Sequence, residues 1–257
     1  MKIYITFIIA GDMPGAPGPS NYVNAAKRFA DTYTHFSAGQ DHELILVDSH
    51  GGYSSEIKKV FNGIAHSVVP YSGLGWDIGG HLHVASQLPA ADWIMCFSSW
   101  GYFRRDGWLF AFEQARQMHG DGLYGSTASW EQSRHIRGTG FFIRCGLLHQ
   151  YPFQVNSREE SFSFEVGPES LTEWCIDNDY GTWIVTPRKT VSLNRAEFLR
   201  NGFRRGNQTD IWTFDKHTDL FEQGSVQEQK MLTARSYPKA RTILGRARSL
   251  MSYLLDG

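Results

Sequence analysis

Ile64-Ala65-His66-Ser67-Val68-Val69-Pro70-Tyr71-Ser72-Gly73-Leu74-Gly75-Trp76-Asp77-Ile78-Gly79-Gly80 is the stretch on which the fold turns. The apolar run Ile64 to Val69 predicts a strand, the glycines from Gly73 to Gly80 a tight turn, and His81 to Gln87 a helix. Strand, glycine turn and helix make half of a parallel βαβ unit. Working outward, the alternation recurs. Ile3 to Ala10 is an apolar, β-branched strand, Gly11 to Ser20 a loop, and Asn21 to Phe36 a helix with Val23, Ala26, Phe29, Ala30 and Tyr33 on one face. Glu43 to Val47 predicts a strand ending at Asp48, and Trp93 to Phe97 a fourth. A helix over Trp108 to His119 follows, then strands at Leu123 to Ser126 and Gly140 to Arg144, a helix over Glu169 to Asn178 and a strand at Thr182 to Thr186. The pattern is that of one α/β domain with a mostly parallel sheet flanked by helices, its ligand groups at the carboxyl ends of the strands.

Composition agrees. The 257 residues are 41% hydrophobic and 20% charged, the balance of a globular chain, and the net charge of -1 offers no basic field for nucleic acid. Cys96, Cys145 and Cys175 are widely spaced and odd in number, which argues against a disulfide framework and fits a reducing, cytoplasmic setting. The opening run from Ile3 is short, is interrupted by Tyr4 and Thr6, and reads as a buried strand rather than a leader.

Glycines before a helix let a backbone approach a ligand, and the helix N-terminus favours phosphate. The spacing of Gly73, Gly75 and Gly79 does not match the dinucleotide fingerprint and follows the third strand, which argues against nicotinamide or adenosylmethionine. Gly75-Trp76-Asp77-Ile78-Gly79-Gly80, followed by Ala91-Asp92-Trp93-Ile94-Met95-Cys96-Phe97-Ser98-Ser99, resembles the nucleotide-binding half of GT-A-fold glycosyltransferases. Gly125-Ser126, His135 to Phe141 and Phe164 to Trp174 resemble that family's later segments, so the likeness runs in order through roughly residues 1 to 190. It implies a GT-A-like, Rossmann-type domain over residues 1–192, with a basic loop and C-terminal helical extension over residues 193–257 packed on it. It also implies transfer of a sugar from a nucleotide-sugar donor to a saccharide acceptor, as in surface polysaccharide synthesis.

The resemblance assigns roles. Asp48, Gly75, Trp76, Asp77, Gly79, Gly80, Ser98, Ser99 and Trp100 fall where the donor binds. Glu165 and Glu169 are the candidate bases, with Glu165 favoured because it follows Phe162 and Phe164, and His135 and Arg137 are placed at the acceptor side. For Asp48 and Asp77 the plainer reading is a turn residue bonding its own backbone, and for Glu169 a helix-capping carboxylate. Where the family carries Asp-x-Asp, this chain has Ser98-Ser99-Trp100. Hydroxyls are poor sole ligands for Mg²⁺ or Mn²⁺, so these residues leave the metal open, and with it a binding domain of the same fold that lacks turnover. Arg137, Arg204, Arg205 and Lys216 are the cations that can offset leaving-group charge without metal. His81 and His83, two apart on a helix, diverge and do not make a metal pair. Pro238 to Leu255 predicts an amphipathic helix with interleaved basic residues, suited either to the domain's own flank or to the inner face of an anionic membrane.

Overall fold

The computed structural model describes residues 1–11, 19–194 and 201–237; the helix expected over Pro238 to Leu255, with its membrane reading, lies outside them, as do Arg195 and Arg200. In chain order the elements are β1 (Ile3–Ala10), α1 (Pro19–His35), β2 (Glu43–Ser49), α2 (Ser55–Val60), β3 (Ser67–Tyr71), α3 (Trp76–Ala85), β4 (Trp93–Phe97), β5 (Tyr102–Phe103), α4 (Trp108–His119), β6 (Gly122–Gly125), β7 (Ala128–Ser129), β8 (His135–Ile136) and β9 (Phe141–Arg144). They continue with α5 (Cys145–Gln150), α6 (Arg158–Glu165), α7 (Leu171–Asp177), β10 (Gly181–Val185), β11 (Thr190–Ser192), β12 (Thr213–Phe214), α8 (Lys216–Gln223) and α9 (Val226–Ser236).

Eight strands form the main sheet in the order β11-β10-β6-β9-β4-β1-β2-β3. β1, β2, β3 and β4 pair in parallel, as do β6 and β10, whereas β9 runs antiparallel between β4 and β6 and β11 antiparallel to β10. The α/β class and mostly parallel sheet are as expected. Reversing β9 has a consequence for the site: its first residue, Phe141, pairs with Cys96 near the end of β4 and with Gly125 at the end of β6. The segment leading into β9, which carries His135 and Arg137, is thereby brought to the same sheet edge as the parallel strands' carboxyl ends.

Strand alternation divides the core. Ile3, Ile5, Phe7 and Ile9 face one side, packing with Phe29 of α1, Ile57 of α2 and Phe112 of α4. Tyr4 and Ile8 face the other, with Ile78 and Val84 of α3, Leu147 of α5, Phe164 of α6 and Leu171 of α7. Thr6, fully buried on that second face, bonds His81 Nδ1 at 2.9 Å, so His81 is a core residue. His83 points elsewhere and meets Gln87, in keeping with the divergence expected of the two histidines. The three cysteines are buried and unpaired. Among the described residues no helix is long and apolar enough to cross a membrane.

Several boundaries move. Helix α3 begins at Trp76 rather than His81, because backbone bonding starts inside the glycine turn, where the Gly79 N–H reaches the Gly75 carbonyl at 2.7 Å. Ser170 caps α7 by accepting the Glu173 N–H, so that helix starts at Leu171 and leaves Glu169 in the loop before it. Glu165 is the last residue of α6, a helix capped by Ser157 that apolar periodicity does not reveal because only Phe164 in it is buried.

Candidate active site

The glycine turn is shaped by packing. Gly73, Gly75 and Gly79 lie against the Tyr71 side chain or the Val155 carbonyl so closely that a methyl group on any of them would collide. The Gly75 N–H donates to the Tyr71 hydroxyl at 3.2 Å, and Gly80 faces Ile8 and Val47 in the core. Gly79 and Gly80 therefore seat α3 on the sheet. A specific outcome follows. Alanine usually stabilises a helix interior by about 1 kcal/mol over glycine, yet Gly79→Ala lowers the melting temperature here, because its methyl meets the Tyr71 hydroxyl. Adding Tyr71→Phe recovers part of the loss, which a double-mutant cycle of thermal melts checks.

Trp76, the first residue of α3, has φ of 51°, a left-handed conformation that costs a non-glycine residue on the order of 1–2 kcal/mol. The next residue, Asp77, is partly buried, and its Oδ2 accepts the Ser99 N–H at 3.4 Å, tying the start of α3 to the turn after β4. Burial raises its carboxyl to about 6, against the opposing pull of the Ser99 N–H and the charge of Lys216.

Beside this turn is a cavity of about 240 Å³, lined by His135, Arg137, Gly138, Phe162, Glu165, Phe203, Arg204 and His217 among others. Glu165 abuts Gly138, where a Cβ would strike its carboxylate. Burial pushes Glu165 up to about 7; the charge of Arg137 opposes this, and those of Asp77 and Asp215 add to it. Arg137 is held in place: its Nη2 donates to Asp215 Oδ2 at 2.7 Å and its guanidinium lies 4.0 Å from the Phe203 ring centre. Asp215, 1% exposed, also caps α8, its Oδ1 accepting the N–H groups of His217 and Thr218 at 2.9 Å each. Burial works to raise the Asp215 carboxyl, but the Arg137 guanidinium and these N–H groups prevail and hold it well below the ordinary carboxylate range. His135 and His217 are pushed down to about 4 by burial and by the charge of Arg137, so both are neutral at pH 7. Arg204 pairs with Glu131 at 3.0 Å and donates to the Ser236 hydroxyl at 3.1 Å.

His135, Arg137 and Glu165 thus share the cavity, and Asp77, bonded to Ser99, lies within electrostatic reach of Glu165. Other expected residues lie elsewhere. Glu169 is exposed, gives only its carbonyl to the Tyr151 hydroxyl, and does not line the cavity, so of the two glutamates only Glu165 lies on its wall. Asp48 accepts the Tyr53 N–H at 2.9 Å and braces its own loop, as the plainer reading of that residue had it. Trp76 carries the Arg158 guanidinium 4.8 Å from its ring centre, and Trp100 packs on Tyr22 at 5.7 Å. Ser98 is partly buried at the end of β4, and Ser99 is 3% exposed with its hydroxyl unpartnered. Sequence reasoning missed Phe203, Asp215 and His217 as site residues. The signal for Asp215 was local: an aspartate three residues before Thr218 is a helix N-cap pattern.

Mg²⁺ and Mn²⁺ prefer carboxylate oxygens. The turn after β4 offers two hydroxyls and an indole, and among the described residues no three His, Cys, Asp or Glu side chains converge.

No protein-family model matches the sequence, and no curated protein is significantly similar to it. Solved structures overlap with it at low identity. TarS of S. aureus, residues 1–349 in complex with UDP, is 14% identical over 63% of this chain and 53% of its own, with a TM-score of 0.43. The 4-diphosphocytidyl-2C-methyl-D-erythritol synthase of Anaerococcus prevotii is 14% identical over 63% of this chain and 82% of its own, TM-score 0.40. HddC of Yersinia pseudotuberculosis is 10% identical over 65% and 84%, TM-score 0.39. Against the longer TarS chain, this chain spans 32% of the length. At this level the chemistry has to be read from the cleft itself.

Proposed function

We propose that the protein is a glycosyltransferase that moves a sugar from a nucleotide-sugar donor to a saccharide hydroxyl, with Glu165 as the base. The observation that carries this is Glu165 on the cavity wall, sheltered enough to titrate at about 7 and flanked by Arg137. A base is most effective when its pKa lies near the working pH. In the proposed step Glu165 takes the proton of the acceptor hydroxyl as that oxygen bonds the donor's anomeric carbon. The bond from that carbon to the diphosphate breaks, and a nucleoside diphosphate leaves. The acceptor enters the cavity beside His135, Phe162 and His217, two neutral imidazoles and an exposed ring suited to hydroxyls and to a sugar's apolar face. The donor lies toward Asp77 and the turn Ser98 to Trp100.

A panel of UDP-, GDP- and dTDP-sugars tests the reading by melting temperature. A ligand at 100 times its dissociation constant adds about 2.7 kcal/mol, which corresponds to a rise of roughly 5–10 °C in a chain of this size. No shift with any member of the panel counts against it. The turn Ser98 to Trp100, which lacks carboxylates, favours a second reading: a domain that binds the nucleotide sugar without turning it over. Stabilisation without release of nucleoside diphosphate selects that reading.

A further inference from the structure

Departure of a nucleoside diphosphate builds negative charge that a cation must offset. The turn after β4 itself offers a divalent metal no carboxylate, and a side-chain cation can offset the charge in its place. The geometry points to Lys216 as that counter-charge, binding the donor's diphosphate beside Trp100 in place of a divalent metal; this rests on the glycosyltransferase reading above.

Arg137 is committed to Asp215, Arg204 to Glu131, and Arg28 to Asp219 at 2.7 Å. Lys216 is exposed, and among the described residues it makes no ion pair or hydrogen bond. Its Nζ stands 5.3 Å from the centre of the Trp100 ring, and its charge lowers the pKa of Asp77, so it acts on the mouth of the cleft. Arg158 also lies over an aromatic ring, that of Trp76, but its charge is not among those acting on Asp77.

Position supports the same residue. Lys216 and Trp100 line a hollow of about 430 Å³, and the next residue, His217, lines the cavity of Glu165. The two hollows thus adjoin along the first turn of α8, Lys216 facing one and His217 the other. The first turn of α8 offers little of its own, because Asp215 already accepts the N–H groups of His217 and Thr218. Ser99 links Asp77 to the turn that carries Trp100: the residue is 3% exposed, and its backbone N–H is the group that reaches Asp77.

The test is binding of UDP, GDP and dTDP in EDTA, read by calorimetry and by quenching of tryptophan fluorescence, for the wild type and for K216M, K216R and R158M. The expected result is that at least one of these diphosphates binds the wild type without metal. K216M then weakens it by about tenfold, a charge-assisted contact's worth, while K216R and R158M stay within about threefold. The matching nucleoside, which has no phosphate, binds wild type and K216M alike. Binding that appears only when Mn²⁺ or Mg²⁺ is added, or K216M binding as the wild type does, overturns the role of Lys216 and leaves the glycosyltransferase reading standing. Failure of all three diphosphates to bind, with metal or without, overturns both.

Discussion

Glu165→Gln is expected to lower sugar transfer by about 10²–10⁴-fold while nucleotide binding is retained, because it removes the proton acceptor and little else. The wild-type rate should climb with pH and level off above about 7, where Glu165 becomes ionised, and the variant's residual rate should lack that inflection. Stability moves the opposite way. The folded-state pKa lies above the ordinary 4.5, so folding favours the protonated form. The stabilisation from this group is complete below about 4.5 and is lost as pH rises through 7. Glutamine has no charge to bury, so the variant should melt above the wild type at pH 8, by on the order of 1–3 kcal/mol, with the difference vanishing toward pH 4.5. Loss of activity in a more stable protein separates chemistry from misfolding.

Asp215→Ala carries the largest expected loss of stability. It strands the Arg137 guanidinium, whose side chain is only 12% exposed, and frees two N–H groups at the start of α8. Removing one partner of a buried pair costs about 3–5 kcal/mol, and losing a cap about 1 kcal/mol more. For a chain of this length that is a fall of roughly 10–20 °C in melting temperature. Asp215→Asn, which keeps an oxygen for the cap, should lose less. It also supplies a readout that a purely structural role would not move. The Asp215 charge raises Glu165 and the Arg137 charge lowers it, so neutralising Asp215 shifts the pH–rate inflection below 7. An unmoved inflection in Asp215→Asn would break the electrostatic link between the two carboxylates.

Much of the scaffold was legible because its signals are local. Trp93–Phe97 and Trp108–His119 stand where apolar periodicity put them, and β1 matches Ile3 to Ala10 residue for residue. The cleft was only half legible. Asp77 and Ser99 follow their strands directly, so sequence order alone brings them to the sheet edge. Glu165 and Arg137 meet only because β9 reverses between β4 and β6, and strand direction leaves no mark on residue spacing. Asp215, His217 and Phe203 come from the segment expected to be an extension, yet they build one wall of the cavity. Glycine was misleading for a physical reason. A glycine that admits a ligand and one that admits a tyrosine ring look alike in sequence, and Gly73 and Gly79 belong to Tyr71.

Release of nucleoside diphosphate, measured side by side for the wild type and Glu165→Gln, bears most directly on the role of the cleft. The substrate is the nucleotide sugar that raises the melting temperature, with a saccharide mixture as acceptor. The expected result is release by the wild type that rises toward pH 7 and falls by at least about 10²-fold in the variant, although both proteins bind the donor. Equal release by the two proteins, or none from a donor that the wild type demonstrably binds, contradicts Glu165 as the base of a glycosyl transfer.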